Sequence, residues 1–271
     1  MVQRAVFQGG YRKYLFESAG DKFEASLHPG ENGASIHVST QVGCGMGCTF
    51  CATSRLGHVR DLTAGEIVAQ VELVSREAGV RPGVVSASAQ GEPLENLDAL
   101  LEALSLVRGR FGNVRFEVST CGCVEGIGRL AREHTGCALA VTLHSVKQDA
   151  RDRLMPGAHR WPLDVLRAGL CAHADAFSRM AIDVALISGT NDTLGDARAL
   201  AAWCEGLPCM VRVMPMSPIA SGCAPVGQAG VHRFAKSLRE QGLEVEELPT
   251  LPSNPMSMKT FPAERRVDNF F

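Results

Sequence analysis

Apolar and polar positions alternate along this chain in a repeating order. Three short apolar runs come first, Tyr14 to Phe16, Phe23 to Leu27 and Ile36 to Val42, punctuated by Gly20-Asp21, Pro29-Gly30 and Asn32-Gly33. Period-two runs bounded by turn residues read as strands. Thr63-Ala64-Gly65-Glu66 then has the form of a capping box, and Ile67, Val68, Val71 and Val74 fall on one helical face ahead of Gly79. From there strand and helix patterns alternate. Val84-Val85 precedes a stripe of Leu94, Leu97, Leu101 and Leu104, and Val114 to Val118 precedes a helix near 127–133. Ala138 to Leu143 precedes a helix opened by Pro162, and Ala181 to Ile187 precedes a helix over 192–204. Cys209 to Met214 precedes a helix bearing Val231, Phe234 and Leu238, and Leu243 to Leu248 reads as a last strand.

About six strand–helix repeats predict an α/β fold of parallel βα units, which right-handed crossovers curl into a partial (βα)6 barrel. The expected division is a β extension over 1–33, the barrel over 34–250 and an irregular tail over 251–271. In such barrels the site lies at the carboxyl ends of the strands.

Composition narrows the class. The 271 residues are 45% hydrophobic and 21% charged with a net charge of −2, which describes a globular chain without the overall basic bias of a dedicated nucleic-acid binder. The first sixteen residues carry Arg4, Arg12 and Lys13 and no continuous apolar segment, so they do not read as a signal peptide. No stretch is long enough to cross a bilayer. Ten cysteines without a secretion signal point to a reducing compartment, hence the cytoplasm.

The chemistry concentrates in Cys44-Gly45-Met46-Gly47-Cys48-Thr49-Phe50-Cys51, a C-x3-C-x2-C run. Iron–sulfur clusters are held by cysteine thiolates, usually four. Three thiolates on a four-iron cubane leave one iron able to chelate a ligand. A zinc knuckle is the alternative, although structural zinc takes four ligands and no second C-x2-C pair is present.

The spacing resembles the signature of the radical S-adenosylmethionine (SAM) superfamily. There the open iron binds SAM, and one electron cleaves it to a 5′-deoxyadenosyl radical. The wider sequence resembles the RlmN/Cfr family within it, which methylates carbon atoms of an adenine in ribosomal RNA. The resemblance rests on Val38-Ser39-Thr40-Gln41-Val42-Gly43, Cys51-Ala52-Thr53, Arg60-Asp61-Leu62-Thr63-Ala64-Gly65-Glu66-Ile67, Gly91-Glu92-Pro93, Ser119-Thr120, Thr142-Leu143-His144 and Arg151-Asp152-Arg153-Leu154-Met155-Pro156, in that order. It implies a [4Fe-4S] cluster on Cys44, Cys48 and Cys51. It also implies SAM contacts from Gly91, Glu92, Ser119, Thr142, Leu143, His144 and Ser217, the last standing where the family usually has asparagine. Glu24 falls at the place of an acid proposed as a proton acceptor. A low-potential donor such as flavodoxin or ferredoxin would supply the electron.

Two departures change the expected substrate. The family's methyl relay uses a cysteine seven residues before the first cluster cysteine and another near the C-terminus. Here the first place holds His37, and no cysteine follows Cys223. The family's N-terminal accessory domain has no counterpart in this sequence either. The resulting expectation is a radical enzyme that abstracts hydrogen directly from a small-molecule or nucleotide-like substrate, with His37 a substrate-facing acid–base group. RNA methylation through a rearranged thiol pair, drawn from Cys121, Cys123 and Cys223, is the alternative.

Overall fold

A computed structural model describes residues 3–30, 33–216 and 224–249. The chain has an α/β architecture with a mostly parallel sheet, and it divides into two compact units. The first holds described residues 3–45 and 53–119, the second 46–52 and 120–249.

In the first unit four antiparallel strands, β1 (Gln3–Val6), β2 (Arg12–Ser18), β3 (Asp21–His28) and β4 (Ala34–Val38), lie side by side in chain order. Parallel strands β7 (Pro82–Ala87) and β8 (Arg115–Thr120) continue the sheet beyond β4. The expected strand over Ile36 to Val42 is broken at Ser39-Thr40. Its second half, β5 (Gln41–Gly43), pairs instead with β6 (His58–Asp61) in a separate ribbon. The break is held from the side: the Ser39 amide donates to Gln70 Oε1 at 2.8 Å, and the Thr40 amide donates to the Gln90 carbonyl at 2.8 Å.

Helix α1 (Ala64–Ala78) starts at the expected capping box. The Thr63 hydroxyl accepts from the Glu66 amide and the Glu66 carboxylate from the Thr63 amide, and Gly79 ends the helix in the left-handed region at φ 67°. Arg60 lies against this start, bonding Glu66 at 2.9 and 3.0 Å and Asp21 at 2.9 Å. The Arg60 guanidinium pulls the Glu66 carboxyl down to about 2. Helix α2 (Leu97–Phe111) buries Leu97, Leu100, Ala103, Leu104 and Val107, so Leu100, and not Leu101, occupies the core stripe. Ile36, Val38, Val71, Val74 and Leu100 make a fully enclosed core under the sheet.

The second unit carries α3 (Val124–Arg132), β9 (Ala138–Thr142), α4 (Gln148–Leu154), α5 (Leu163–His173), β10 (Met180–Leu186), α6 (Leu194–Cys204), β11 (Met210–Pro215), α7 (Gln228–Arg239) and β12 (Val245–Glu247). Strands β9 to β12 are all parallel and adjacent in chain order. Every residue of β10 is buried, as a central parallel strand requires. Helix α4 falls between the strand ending at Leu143 and the helix opened by Pro162, where the sequence pattern marks no element. It is seven residues long, and its charged run Gln148-Asp149-Ala150-Arg151-Asp152-Arg153 shows no apolar stripe. No helix among the described residues is long and apolar enough to cross a membrane.

Candidate active site

The cysteine run is a loop with almost no secondary structure of its own, so its shape comes from what grips it. At its start, in the first unit, the Cys44 amide donates to the Gly57 carbonyl at 2.9 Å. That approach requires glycine at 43: φ is +75°, and a Cβ would come within 1.9 Å of the Gly57 oxygen. In the second unit the segment after α4 forms the platform. The Thr49 amide donates to the Leu154 carbonyl at 2.9 Å, and the Gly157 amide donates to the Met46 carbonyl at 2.8 Å. A Cβ on Gly157 would meet the Met46 backbone at 2.7 Å. Cys44 and Cys48 are buried and Cys51 half-buried, and none of the three is in a disulfide.

Arg151 ties this platform together. It is 0% exposed, and its guanidinium donates to the carbonyls of Ala158 (3.1 Å), Trp161 (3.0 Å) and Cys121 (2.7 Å). Burial lowers its pKa, and the thiols of Cys121 and Cys48 and the Asp152 carboxylate oppose that shift. Sequence pattern gives no hint of this role. Arg151 looks like one more charge on a polar helix, and only its distant partners show otherwise.

In the second unit Thr142 ends β9, and its hydroxyl donates to the Thr120 carbonyl at 3.0 Å and lies 3.6 Å from Cys121 Sγ. Leu143 is fully buried, its amide on the Asp183 carbonyl at 3.0 Å. His144 sits in the left-handed region at φ 58°, a strained place for a non-glycine residue. Its Nδ1 accepts from the Ala185 amide at 3.1 Å, which leaves the proton on Nε2. Asn191 holds the same turn, donating to the carbonyls of His144 (2.7 Å) and Ala185 (2.9 Å). Burial, aided by the Arg151 charge, pushes the His144 imidazole down to about 4.

The first unit presents a polar face. Register places Lys13, Ser26, His37, Ser86 and Glu117 in one row across β2, β3, β4, β7 and β8. Glu24 and Ser119, two residues along their strands from members of that row, share its face. Glu24 is 6% exposed and pairs with Lys13 at 2.9 Å. Of the residues singled out by sequence, this unit therefore brings Glu24, His37 and Ser119 onto one surface. Gly91 and Glu92 follow β7. Gly91 has φ +103°, and a Cβ there would meet Gln41 at 2.7 Å and Thr40 at 2.8 Å. Glu92 is buried, its amide donating to Gln41 Oε1 at 2.9 Å and its carboxylate accepting from the Leu94 amide at 3.1 Å. Ser217 lies outside the described residues, as do Cys223 and the tail over 251–271.

Residues 38–168 match the radical SAM superfamily model. A probable dual-specificity RNA methyltransferase RlmN from Thermus thermophilus is 37% identical over 90% of this chain and 71% of its own length. A second, from Symbiobacterium thermophilum, is 41% identical over 86% of this chain and 66% of its own. Among solved structures, a radical SAM methyltransferase from Sphaerobacter thermophilus superposes with a TM-score of 0.87 at 34% identity, covering 92% of this chain and 76% of that one. This chain belongs to the RlmN-type radical SAM family. It is an enzyme, and its cofactors are those of the family, a [4Fe-4S] cluster and SAM. HydG, a maturase of the [FeFe]-hydrogenase, shares the fold at 13% identity and a TM-score of 0.62.

The residues present suit the RlmN-type cofactors. Three unbridged soft thiols in an eight-residue loop are the donor set that iron–sulfur clusters select. Glycines at 45 and 47 keep the loop backbone bare of side chains on either side of Met46. Arg151 adds a buried cation on the platform that grips the loop. Hard oxygen-only sites for magnesium or calcium look quite different.

Proposed function

We propose that this protein is a radical SAM methyltransferase acting on an adenine carbon of RNA. The observation that carries this reading is the likeness to RlmN enzymes across 90% of the chain, including every segment around the cysteine loop. When bound, the cluster and SAM supply the electron, the radical and the methyl group. Cys44, Cys48 and Cys51 would hold the cluster. Glu92, with Gly91, would meet the SAM ammonium, since a buried carboxylate complements a cation. Ser119, Thr142, Leu143, His144 and Ser217 would line the rest of the SAM site. Glu24 and His37 would face the substrate. A low-potential donor such as flavodoxin or ferredoxin would deliver electrons in the cytoplasm.

The likeness weighs toward RNA and against the small-molecule or nucleotide-like substrate expected from the missing relay thiols. With no cysteine after Cys223 and His37 at the resolving position, a methyl-carrying thiol would come from elsewhere in the chain. Of the candidates Cys121, Cys123 and Cys223, Cys121 is half-buried beside the Thr142 hydroxyl with its own carbonyl held by Arg151, and it is the one taken to the test.

The test is transfer of label from methyl-labelled SAM to unmodified ribosomal RNA by the reconstituted, reduced protein, with Cys121→Ala alongside. Label at an adenine carbon, lost in the variant, supports the reading. Release of 5′-deoxyadenosine with no labelled RNA would instead return the direct-abstraction reading, which His37 at the relay position motivates.

A further inference from the structure

Two cysteines that the proposed roles above do not use stand together in the second unit, at the turn from α6 into β11. Cys204 is the last residue of α6 and is 1% exposed, and Cys209 comes just before β11 and is half-buried. The turn between them is closed by its own backbone. The Leu207 amide donates to the Cys204 carbonyl at 2.9 Å, and the Cys209 amide donates to the Leu207 carbonyl at 2.8 Å. Gly206 supplies the reversal in the left-handed region at φ 76°. Arg167 of α5 holds the same turn from outside, donating to the Trp203 carbonyl at 2.8 Å and to the Glu205 carbonyl. The chain is thereby folded back so that the Cys204 thiol donates to the Cys209 sulfur.

That bond gives the two sulfurs different parts. The hydrogen bond to Cys209, then burial, hold the proton on Cys204, and only the Arg167 charge opposes them. Cys209, which accepts the bond, is pushed the other way despite its own burial. The thiolate is the nucleophilic form of cysteine, and thiol–disulfide exchange runs through its attack on a disulfide sulfur. Cys209 is therefore the member that both ionises more readily and reaches solvent. Cys204 lies behind it, closed to solvent and in contact with its sulfur.

We propose that Cys209 and Cys204 form a reversible oxidation site for small disulfides of the glutathione type. The Cys209 thiolate attacks one sulfur of the oxidant, a mixed disulfide forms, and the other half leaves as a thiolate. Cys204 then gives up its proton to water, attacks the Cys209 sulfur and expels the second thiolate. The protein loses two electrons and two protons, and the oxidant becomes two thiols. Sulfurs that already share a hydrogen bond close to the bonding distance of about 2.05 Å without any strand leaving the sheet. The bridge would sit at the amino end of β11, whereas Ser217 follows its carboxyl end. Nothing in this chemistry depends on the RNA substrate.

The test is anaerobic treatment of the cluster-loaded protein with oxidised glutathione, followed by tryptic mass spectrometry. Cleavage after Arg198 and Arg212 leaves both cysteines on one peptide, 199–212. The expected result is loss of two hydrogens from that peptide, reversed by dithiothreitol, with iron content unchanged. Cys204→Ser should stop the reaction at a glutathione adduct on Cys209. Cys209→Ser should leave Cys204 unmodified. Phenylarsine oxide, which condenses with two neighbouring thiols, should attach to peptide 199–212 of the wild type and of neither variant. A wild-type protein that keeps a glutathione adduct on Cys209 without bridging, or that reacts at the exposed Cys171 while both cysteines of the turn stay reduced, would overturn the site. An adduct on Cys204 in Cys209→Ser would overturn the assignment of Cys209 as the attacking thiol.

Discussion

The ring of Phe50 stands edge-on to His144, centroids 4.7 Å apart and planes at 79°. One residue belongs to the cysteine loop and the other to the strained turn after β9, so the loop is packed directly against the histidine that the family resemblance places on SAM. Such a T-shaped pair contributes about 1 kcal/mol beyond the area it buries. Replacing Phe50 with alanine should leave the cluster bound, admit water to His144 and raise its pKa from about 4 toward the ordinary imidazole value. Histidine NMR and SAM titration of the loaded protein check both effects, with SAM affinity expected to fall roughly tenfold, about 1.4 kcal/mol.

Each loop cysteine is expected to be necessary for the cluster. Cys44→Ala, Cys48→Ala and Cys51→Ala should each strip the brown iron–sulfur absorbance while leaving the circular dichroism of the α/β fold intact. Iron and sulfide analysis decides it, and full cluster occupancy in any of the three would remove that residue from the ligand set.

Arg151→Met should destabilise the second unit by about 3–5 kcal/mol, because three carbonyls lose a buried charged donor at once. Arg151→Lys should recover little, since one ammonium lacks the planar fork that reaches three carbonyls. The loop-gripping platform around Leu154 and Gly157 loosens with it, so iron occupancy should fall along with the urea midpoint. A variant stable to urea and fully loaded with iron would contradict this account.

Gly91→Ala tests the strained entry to Glu92. The added methyl lands within 2.8 Å of Gln41 and Thr40 in a backbone region that L-residues avoid, so the Gln41–Glu92 contact must shift. The expected outcome is an iron–sulfur spectrum like the wild type and SAM binding weakened more than tenfold, measured by calorimetry.

Stability should fall with acid in a defined window. His28 and His144 are held near 3 and 4 in the folded state, below the ordinary value of 6.5. The unfolded chain therefore takes up protons first. The stability these neutral rings support is complete above about pH 6.5 and is lost as pH falls toward 4. His28→Phe keeps a ring against His37 and removes one titration, so the slope of unfolding free energy against pH between 4 and 6 should flatten. An unchanged slope would exclude His28 as a contributor.

Much of the architecture was legible before any coordinates. The capping box at Thr63, the stop at Gly79 and the buried stripe of Val231, Phe234 and Leu238 depend on neighbours within a turn or two, and such patterns are written locally. The same holds for the cysteine spacing, because a cluster loop is a short-range ligand set. The polar row across the first sheet left only a faint trace, the period-two polar positions Ser35 and His37, Ser86 and Ser88, Glu117 and Ser119 in strands otherwise rich in valine.

What the residues determined by themselves was the main alternation of strands and helices, the three-thiol loop and the family. Tertiary structure alone decided that Ile36 to Val42 breaks at Ser39, that Arg151 is a buried clamp and not a surface charge, and that His37 and Glu117, eighty residues apart, fall in one row across the sheet. The physical reason is common to all three. Each outcome depends on hydrogen bonds between groups far apart in the chain, whose partners become neighbours only after strands pair and helices pack.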